Sequence, residues 1–480
     1  MASRVGARII TPCMLKTGRK KNDNLKLHLI APTKQGETYL FNKGLLAPLG
    51  LMYLAAYTPP EVEVRLIDEN VERIDFSQVP DLVGITTMTA TAPRAYEIAD
   101  RYRSLGAKVV LGGVHASMIP EEASEHADAV VCGEAEGIWP KVFEDAAAGR
   151  LEPLYNQENH IDFKRPIQPR RDIIDPKRYW CANVVQTARG CPHGCNFCSV
   201  TAFNGRRVRM RDTDNVLAEV ESLPRNNRIR HKVVAFVDDN ISANPTRAKE
   251  LFKGLIPMKV KWGSQASITF ARDEELVALA AESGCHFLFV GLETMSRKAL
   301  AEMGKNQNKV EEYEESLRLL RKYGIHVMGA FVFGFDSDDE SVFIDTLDFA
   351  MRNKIQVGQF AHLAPYPGTR LYRQLLDEGR VEPGFWFEPS WDAKVVYKPV
   401  NFSASWLTDR THKVQRDFYS YRSIFKRMYP HRHWTYWFVF NLLYRHSLSN
   451  SRSHEVGDLE TSGKNGSGRR KAALCRTEEA

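Results

Sequence analysis

The stretch Cys191-Pro-His-Gly-Cys195-Asn-Phe-Cys198 carries the strongest indication of fold and function in this chain. Its three cysteines lie directly after a predicted strand, and soft thiolates at this density favour an iron–sulfur cluster or zinc. A structural zinc site normally has four ligands, often in Cys-x-x-Cys pairs, and the fourth would have to be His193 or Cys181. Three ligands on a [4Fe–4S] cluster leave one iron open to a small molecule. The spacing therefore favours a cluster at which chemistry takes place.

The residues around the cysteines predict a barrel of parallel strands. Apolar runs recur between residues 183 and 380, and a helix fits between each successive pair. Six such units in about 190 residues are typical of an open (β/α)6 barrel, because a closed eight-unit barrel takes about 250. The predicted strands are Val184–Ala188, Val233–Asp238, Lys261–Ser267, Phe287–Leu292, His326–Phe333 and Gln356–Leu363.

Residues 25–150 have the pattern of a separate doubly wound domain. Five apolar runs alternate with helical stretches, which is typical of a parallel sheet whose ligands lie at the carboxyl ends of the strands. We therefore predict an α/β protein in which a Rossmann-like domain precedes a partial barrel. The predicted strands of this domain are Lys26–Ala31, Glu63–Ile67, Leu82–Thr86, Lys108–Leu111 and Ala129–Cys132.

The remaining segments define the predicted boundaries. We expect a loose leader at 1–24, an irregular connector at 151–180, the barrel at 181–385, a helical extension at 386–448 and a disordered tail at 449–480. The tail is rich in Ser, Gly and charged residues. Eight cysteines are too few for a disulfide scaffold, and no apolar run reaches the length of a transmembrane helix. These features predict a cytoplasmic protein.

The spacing Cys-x-x-x-Cys-x-x-Cys resembles the signature of radical S-adenosylmethionine (SAM) enzymes, and the resemblance covers residues 183–380. It implies that Cys191, Cys195 and Cys198 hold a [4Fe–4S] cluster whose open iron binds SAM. One-electron reduction, by a flavodoxin or ferredoxin for example, would cleave SAM to a 5′-deoxyadenosyl radical. Phe197 matches the family position that packs near the adenine, with a plain core role as the alternative.

Other predicted strand ends match the same family, since carboxylates at the carboxyl ends of barrel strands face the active site. The resemblance implies that Asp238 and Asp239 accept the SAM amino group. Glu293 would take the ribose hydroxyls or the amino group, and Lys305 would meet the SAM carboxylate. Each residue taken singly could instead serve a helix cap or a turn. The fifth strand is expected to lie along the adenine through Gly329 and Phe331.

The N-terminal domain resembles the cobalamin-binding domain of class B radical SAM enzymes. It lacks the Asp-x-His-x-x-Gly loop whose histidine ligates cobalt, as do many domains of this branch. Polar and glycine-rich residues nevertheless follow the predicted strands. An empty domain, or one that binds another nucleotide, is the alternative. The resemblance implies cobalamin contacts from Asp68, Glu69, Thr86, Thr87, Thr89, Gly112, Gly113, His115, Gly133 and Glu134.

The net charge of +7 lies at the C-terminal end of the chain. Residues 401–480 hold 14 Lys and Arg against 7 Asp and Glu, whereas residues 1–400 hold 52 of each. A balanced body of this kind does not predict nucleic-acid binding. The basic-aromatic stretch 427–445 is too short to span a bilayer. It predicts either a helix that caps the barrel or peripheral contact with the inner face of a membrane.

Together the resemblances imply a cobalamin-dependent radical SAM enzyme, similar to the branch of the anaerobic protoporphyrin ring cyclase and the hopanoid methylases. Within it we favour a C-methyltransferase that acts on a hydrophobic or anionic metabolite, such as a lipid or a tetrapyrrole. A radical cyclase, oxidase or rearranging enzyme uses the same two domains and stays open. A non-catalytic iron–sulfur or corrinoid carrier would need no SAM pocket. The sequence identifies no catalytic residue on the substrate side.

Overall fold

Two six-stranded parallel sheets, one after the other along the chain, organise the protein. The structure is a computed structural model that describes residues 25–34, 44–225, 232–429, 435 and 437–446. The predicted leader (1–24) and tail (449–480) therefore lie outside the described residues. Among the helices that are described, none combines the length and the apolar character needed to cross a membrane.

The N-terminal sheet has helices on both of its faces, which explains why its strands are apolar along most of their length. Five of the six residues of the first strand are buried. The strands of this part of the chain are β1 (Lys26–Ala31), β2 (Gly44–Leu46), β3 (Glu63–Asp68), β4 (Leu82–Thr86), β5 (Lys108–Gly112), β6 (Ala129–Cys132) and β7 (Leu154–Asn156). Of these, β2 lies outside the six-stranded sheet, in a separate two-stranded sheet. The helices are α1 (Leu49–Ala56), α2 (Ala92–Ser104), α3 (Val114–Met118), α4 (Pro120–His126) and α5 (Trp139–Ala147).

The order β3-β1-β4-β5-β6-β7 confirms the predicted doubly wound domain. All five predicted strands are present, and β1, β4 and β6 have the predicted bounds. The sheet also takes a sixth strand from the segment that we predicted to be an irregular connector. This strand, β7, pairs in parallel with β6, so the sheet continues beyond residue 150.

The second sheet forms the open barrel. Its strands and the short strands near it are β8 (Tyr179–Cys181), β9 (Val184–Val185), β10 (Ala188–Arg189), β11 (Arg209–Met210), β12 (Val233–Phe236), β13 (Lys261–Ala266), β14 (Cys285–Glu293), β15 (His326–Phe333) and β16 (Val357–His362). The helices are α6 (Ser199–Phe203), α7 (Thr213–Ser222), α8 (Pro245–Leu255), α9 (Glu274–Glu282), α10 (Arg297–Glu302), α11 (Tyr313–Lys322), α12 (Ser341–Arg352), α13 (Arg370–Asp377), α14 (Ala404–Phe418) and α15 (Tyr421–Met428).

The order β9-β12-β13-β14-β15-β16 confirms six parallel barrel strands. The first one differs from the prediction, because the continuous strand expected at Val184–Ala188 is divided. Its first half, β9, pairs with β12, whereas β10 leaves the barrel and pairs antiparallel with β11. This departure directs the chain out of the barrel wall at the point where the cysteine loop begins.

The C-terminal helices close the end of the barrel at which the strands begin. The Tyr419 hydroxyl bonds the backbone of Gly358 in β16, and the Arg427 guanidinium donates to the carbonyls of Ile355 and Gln356 just before that strand. Residues 437–446 form a further helix, whose Trp437 ring lies 4.8 Å from His326 at the start of β15. The sequence left a barrel cap open as one alternative, and the structure has it.

Candidate active site

The three cysteines lie on a loop that leaves the barrel wall after β10 and ends at α6. Gly190 opens this loop with φ +90°, and a Cβ there would lie 2.6 Å from the carbonyl oxygen of Arg207, so the turn requires glycine. The loop is tied to the barrel through Asn196, whose N–H donates to Met303 O and whose carbonyl accepts from Leu371 N. All three thiols are half-buried at the carboxyl ends of the strands.

The thiols fit a cluster by their chemistry. Burial raises the pKa of Cys198 to about 11, and burial also raises the pKa of Cys191 and Cys195. The free thiols are therefore protonated at neutral pH and would release protons when a metal binds. Within the described ranges, no three Cys, His, Asp or Glu side chains converge on a single-ion site. Each thiolate of a [4Fe–4S] cluster binds its own iron, so convergence on one point is not required.

Asp238 and Asp239 follow β12, and both carboxylates are engaged with the start of the cysteine loop. Asp238 is fully buried and accepts from the N–H and hydroxyl of Thr187, both at 2.5 Å, and from Ala188 N. Asp239 accepts from Gly190 N at 2.9 Å and from the Asn204 amide at 3.1 Å. Both carboxylates thus hold the loop, and the SAM contact that we expected of them stays a prediction.

Glu293 and Lys305 come together beside the cysteines, as their predicted roles require. They form a buried ion pair, and the Lys305 ammonium also donates to Gly291 O at 3.0 Å. Burial lowers the pKa of Lys305, but the charges of Glu293 and Cys195 outweigh it and the net shift is upward. Glu293 has a left-handed backbone with φ +67°, which is uncommon for a residue with a side chain and is typical of functional sites. The Lys305 ammonium therefore stays charged at neutral pH and lies beside the cysteine loop.

The remaining predicted SAM residues divide into two groups. Phe197 is partly buried, with its ring 6.4 Å from Phe335, and it stays at the cysteine loop. Gly329 and Phe331 face the helices outside the barrel, where Phe331 is fully buried and stacks on Phe360 at 5.3 Å. The expectation that both lie along the adenine stays a prediction. The alternation of β15 directs its neighbours Met328 and Ala330 inward instead.

A cavity of about 330 Å³ lies at the carboxyl edge of the N-terminal sheet and reaches the barrel. This volume is near the lower limit for small-molecule pockets, so it can take one part of a ligand as large as cobalamin. Gly113, with φ +97°, lines it at a point where a Cβ would lie 2.7 Å from Thr87 O. The predicted residues that line the cavity are Thr86, Gly112, Gly113, Gly133 and Glu134.

The other predicted cobalamin residues are engaged elsewhere. Thr87 bonds Gly112 O and Ala116 N, and Asp68 accepts from the Tyr179 hydroxyl at 3.1 Å. Glu69 pairs with Arg94 at 2.7 Å. These side chains fix the loops of the sheet edge and do not line the cavity.

His115 is buried with both ring nitrogens in contact with polar partners. One nitrogen lies 3.3 Å from the Thr89 hydroxyl and the other 3.0 Å from Glu122. The same Glu122 carboxylate accepts from Trp386, which comes from the region after the barrel. His115 therefore helps to join the N-terminal domain to that region, and it is absent from the cavity lining.

A buried network joins the cavity to the cysteine loop. Glu134 lines the cavity, and its carboxylate accepts from Arg189 at 3.0 Å and from Arg209 at 2.6 Å. Arg189 also pairs with Glu136 at 2.5 Å and stands two residues before Cys191. Burial raises the pKa of Glu134, but the two guanidinium groups outweigh it and the net pKa is lowered. The carboxylate is therefore charged and bridges the two domains.

Sequence reasoning missed the residues that the barrel and the first helix contribute to the cavity. Arg189 could have been identified because it lies next to the Gly190-Cys191 pair. The other missed residues lie far apart in the sequence, and no local signal identifies them. The missed lining residues include Tyr53, Trp139, Gln186, Arg189 and Asn204.

Comparisons with known proteins agree with both halves of this site. A model of the radical SAM superfamily matches residues 185–350, and a model of the B12 binding domain matches residues 43–143. The chain is similar to bacteriochlorophyllide d C-12(1)-methyltransferase of Chlorobaculum tepidum, with 31% identity over 91% of this chain and 96% of the relative. It is also similar to bacteriochlorophyllide d C-8(2)-methyltransferase of the same organism, with 30% identity over 72% of this chain and 79% of the relative.

The fold is similar to that of a solved structure, the cobalamin-dependent S-adenosylmethionine radical enzyme OxsB with aqua-cobalamin and S-adenosylmethionine bound. The TM-score is 0.67, and the match covers 89% of this chain and 72% of that chain at 15% sequence identity. At this identity the likeness concerns the architecture, with a sheet domain followed by a barrel.

Proposed function

We propose that this chain, which belongs to the radical SAM enzymes that carry a B12-binding domain, methylates a carbon of a chlorin-type tetrapyrrole. The observation that carries the proposal is the match along almost the whole chain to a bacteriochlorophyllide methyltransferase. The match includes the region after the barrel as well as the two cofactor domains. Methyl transfer is the chemistry that we favoured from the sequence.

Three groups of residues would hold the cofactors. Cys191, Cys195 and Cys198 would bind the [4Fe–4S] cluster, and Lys305 with Glu293 would meet the polar groups of SAM. The cavity at Gly113 would take part of cobalamin. When bound, these groups supply hydrogen-atom abstraction and the methyl group.

The protein's own task is to orient the substrate and exclude water from radical chemistry. The barrel is closed at one end, where the Trp437 ring packs 6.1 Å from Phe287 and 4.8 Å from His326. Its other end faces the cysteine loop. The end of the barrel near the cofactor residues is therefore the side from which we expect the substrate to enter.

The test is anaerobic reconstitution with iron, sulfide and cobalamin, followed by reduction with SAM and bacteriochlorophyllide d. We expect 5′-deoxyadenosine, S-adenosylhomocysteine and a product heavier by one methylene unit. A product with a new ring or a lost pair of hydrogens, without S-adenosylhomocysteine, would favour the cyclase or oxidase alternative. Reduced protein that holds about four irons per chain but forms no 5′-deoxyadenosine would favour the carrier.

The enzyme needs a one-electron reductant. We also propose that it binds an anionic membrane surface. The aromatic side chains of Tyr421 and Phe425 on α15, and of Tyr429 directly after it, recur every four residues, and each is more than half exposed. Arg422 and Lys426 are exposed beside them and complement anionic headgroups. Exposed aromatic rings flanked by cations are typical of interfacial helices.

Flotation of the holoenzyme with phosphatidylglycerol vesicles tests this surface. We expect binding to fall about tenfold in the variant F425S/Y429S, whose buried core is unchanged, and to be weak with phosphatidylcholine alone. Equal binding of both proteins would overturn the membrane proposal. So would self-association that depends on the same two side chains.

A further inference from the structure

The side chains of the barrel strands alternate between a covered outer face and an open lumen. In β13, Trp262, Ser264 and Ala266 are buried, and Trp262 stacks on Phe252 of α8 at 5.1 Å. The residues between them, Gly263 and Gln265, therefore face the lumen. Gln265 is exposed although β13 lies between two other strands and under two helices. Because Gln265 is exposed on this inner face, there is open space inside the barrel.

Gln359 of β16 also faces the lumen, because its neighbours in the strand face outward. Its neighbour Phe360 packs on Phe418 of α14 at 5.0 Å, and Gly358 bonds the Tyr419 hydroxyl. These contacts fix the outer face of β16, so Gln359 points inward, where it is exposed. Gln359 is in register with Ala330 of β15, and Ala330 is in register with Gly291 of β14. The strands beside this amide thus carry small residues, and the Glu293–Lys305 pair lies over Gly291.

The wall beside Gln265 is apolar, and the charged Glu293–Lys305 pair lies beside Gly291 toward the carboxyl end of the barrel. Gln265 is in register with Phe289, and Phe289 is in register with Met328. Neither glutamine amide makes a side-chain hydrogen bond to another described residue of the protein. The two amides are therefore neutral donors and acceptors that can bond a ligand in a chamber with apolar walls and one ion pair, Glu293–Lys305, toward its carboxyl end.

We propose that Gln265 and Gln359 hydrogen-bond polar ring substituents of the substrate and so select the carbon that faces the reacting groups. The inference rests on the proposed function and adds its specificity residues. A chlorin has flat apolar faces, which suit Phe289 and Met328, and carbonyl, hydroxyl or carboxylate groups at its periphery. A pocket that hydrogen-bonds a polar group discriminates strongly, because the wrong ligand leaves the amide unpaired.

The variants Q265L and Q359L keep the side-chain size and remove the hydrogen bonds. We expect each to raise KM for bacteriochlorophyllide d about tenfold, the effect of losing one good hydrogen bond. The ratio of 5′-deoxyadenosine to methylated product should rise, because a misplaced substrate is methylated less often for each SAM cleaved. Cleavage of SAM without substrate should stay unchanged, which separates positioning from damage to the cluster site.

Q265E and Q78L serve as controls. Q265E retains an acceptor in the same place. For a substrate that donates a hydrogen bond there, its KM should lie between those of Q265L and the wild type. Gln78 is exposed in the N-terminal domain, so Q78L should match the wild type. If the wild type is active, and Q265L and Q359L keep the wild-type KM and the wild-type ratio of 5′-deoxyadenosine to methylated product, this inference is overturned and the proposed function is not. A wild type that neither binds nor methylates the chlorin would overturn the proposed function and this inference with it.

Discussion

The carboxyl edges of the two sheets use similar polar residues in different ways. At the N-terminal sheet, Thr87 bonds Gly112, His115 contacts Glu122 and Asp68 accepts from Tyr179. The cavity there is lined by glycines, apolar side chains and the paired Glu134 and Arg189. At the barrel, Asp238 is equally occupied, but Lys305 and the three thiols remain beside one another. The two edges therefore differ in what lies beside their polar groups, since only the barrel edge has a buried cation, paired with Glu293, next to three thiols among the described residues.

The largest effect should come from the thiols at the barrel edge. Replacing Cys191, Cys195 and Cys198 together by Ala removes every cluster ligand, so iron content should fall to background and 5′-deoxyadenosine formation should fall by about 1000-fold or more. Iron analysis and product quantification measure both. Cys285→Ala is the matched control, because that cysteine is buried away from the loop in β14. A triple variant that keeps its iron would contradict the assignment.

Lys305 should show the next largest effect. Lys305→Met removes the cation beside Cys195 and should weaken SAM cleavage about 100-fold, the effect of losing a charge-assisted hydrogen bond, with iron content retained. Glu293 would then be a buried unpaired carboxylate, so the double variant E293Q/K305M controls for lost stability. Normal SAM affinity in a folded single variant would place the SAM carboxylate elsewhere.

The bridge between the two edges should matter mainly for stability and for the cavity. Glu134→Gln breaks a buried carboxylate that serves both Arg189 and Arg209, so the free energy of unfolding should fall by about 4 kcal/mol. Denaturant unfolding measures this change, and gel filtration with cobalamin measures retention. Glu152→Gln, at an exposed ion pair with Lys141, should cost less than about 1 kcal/mol. Equal losses of unfolding free energy in the two variants would mean that the buried bridge stabilises the protein no more than an exposed ion pair.

Asp238 gives a smaller, pH-dependent effect. Burial raises its pKa to about 6 from 3.8, so the folded state binds this proton more tightly than the unfolded chain. The stabilisation is present below about pH 4 and is lost as the pH rises through 6, an amount of about 3 kcal/mol. Unfolding of wild type and Asp238→Asn at pH 4 and pH 7 should show this slope in their difference. A difference that is constant with pH would contradict the raised pKa.

The smallest effect should come from His115. Both of its ring nitrogens are engaged, so His115→Gln should leave the absorption spectrum of bound cobalamin unchanged. A spectral shift would show that this imidazole reaches the cobalt and that the two sheet edges are more alike than their hydrogen bonds indicate.

Much of the fold was predictable because its signals are local. The strands β1, β4, β6 and β15 have the predicted bounds, since an apolar run between turn residues is enough to define a buried strand. β7 was missed because three residues with one buried side chain carry no such signal. The division of the first barrel strand was missed because it depends on Asp238 and Asp239, which bind the turn from another part of the chain.

The site was predictable to the same extent. The structure brings Glu293 and Lys305 together beside the three thiols, as their positions along the chain suggested, and their roles as ligands stay predictions. The facing of Gly329 and Phe331 was not predictable from the sequence, because it depends on which face of β15 the outer helices cover. Single-residue shifts of this kind exchange the two faces of a strand, and sequence alone does not determine them.

The sequence by itself determined the order of elements, the cysteine ligands and the two-domain plan, because these depend on spacing along the chain. Only the tertiary structure decided which polar groups are already satisfied and which are free. Glu134 meets Arg189 and Arg209, His115 meets Glu122, and Gln265 faces an open lumen. These outcomes depend on strand register and on the packing of distant segments, which fix where each hydrogen-bonding group points.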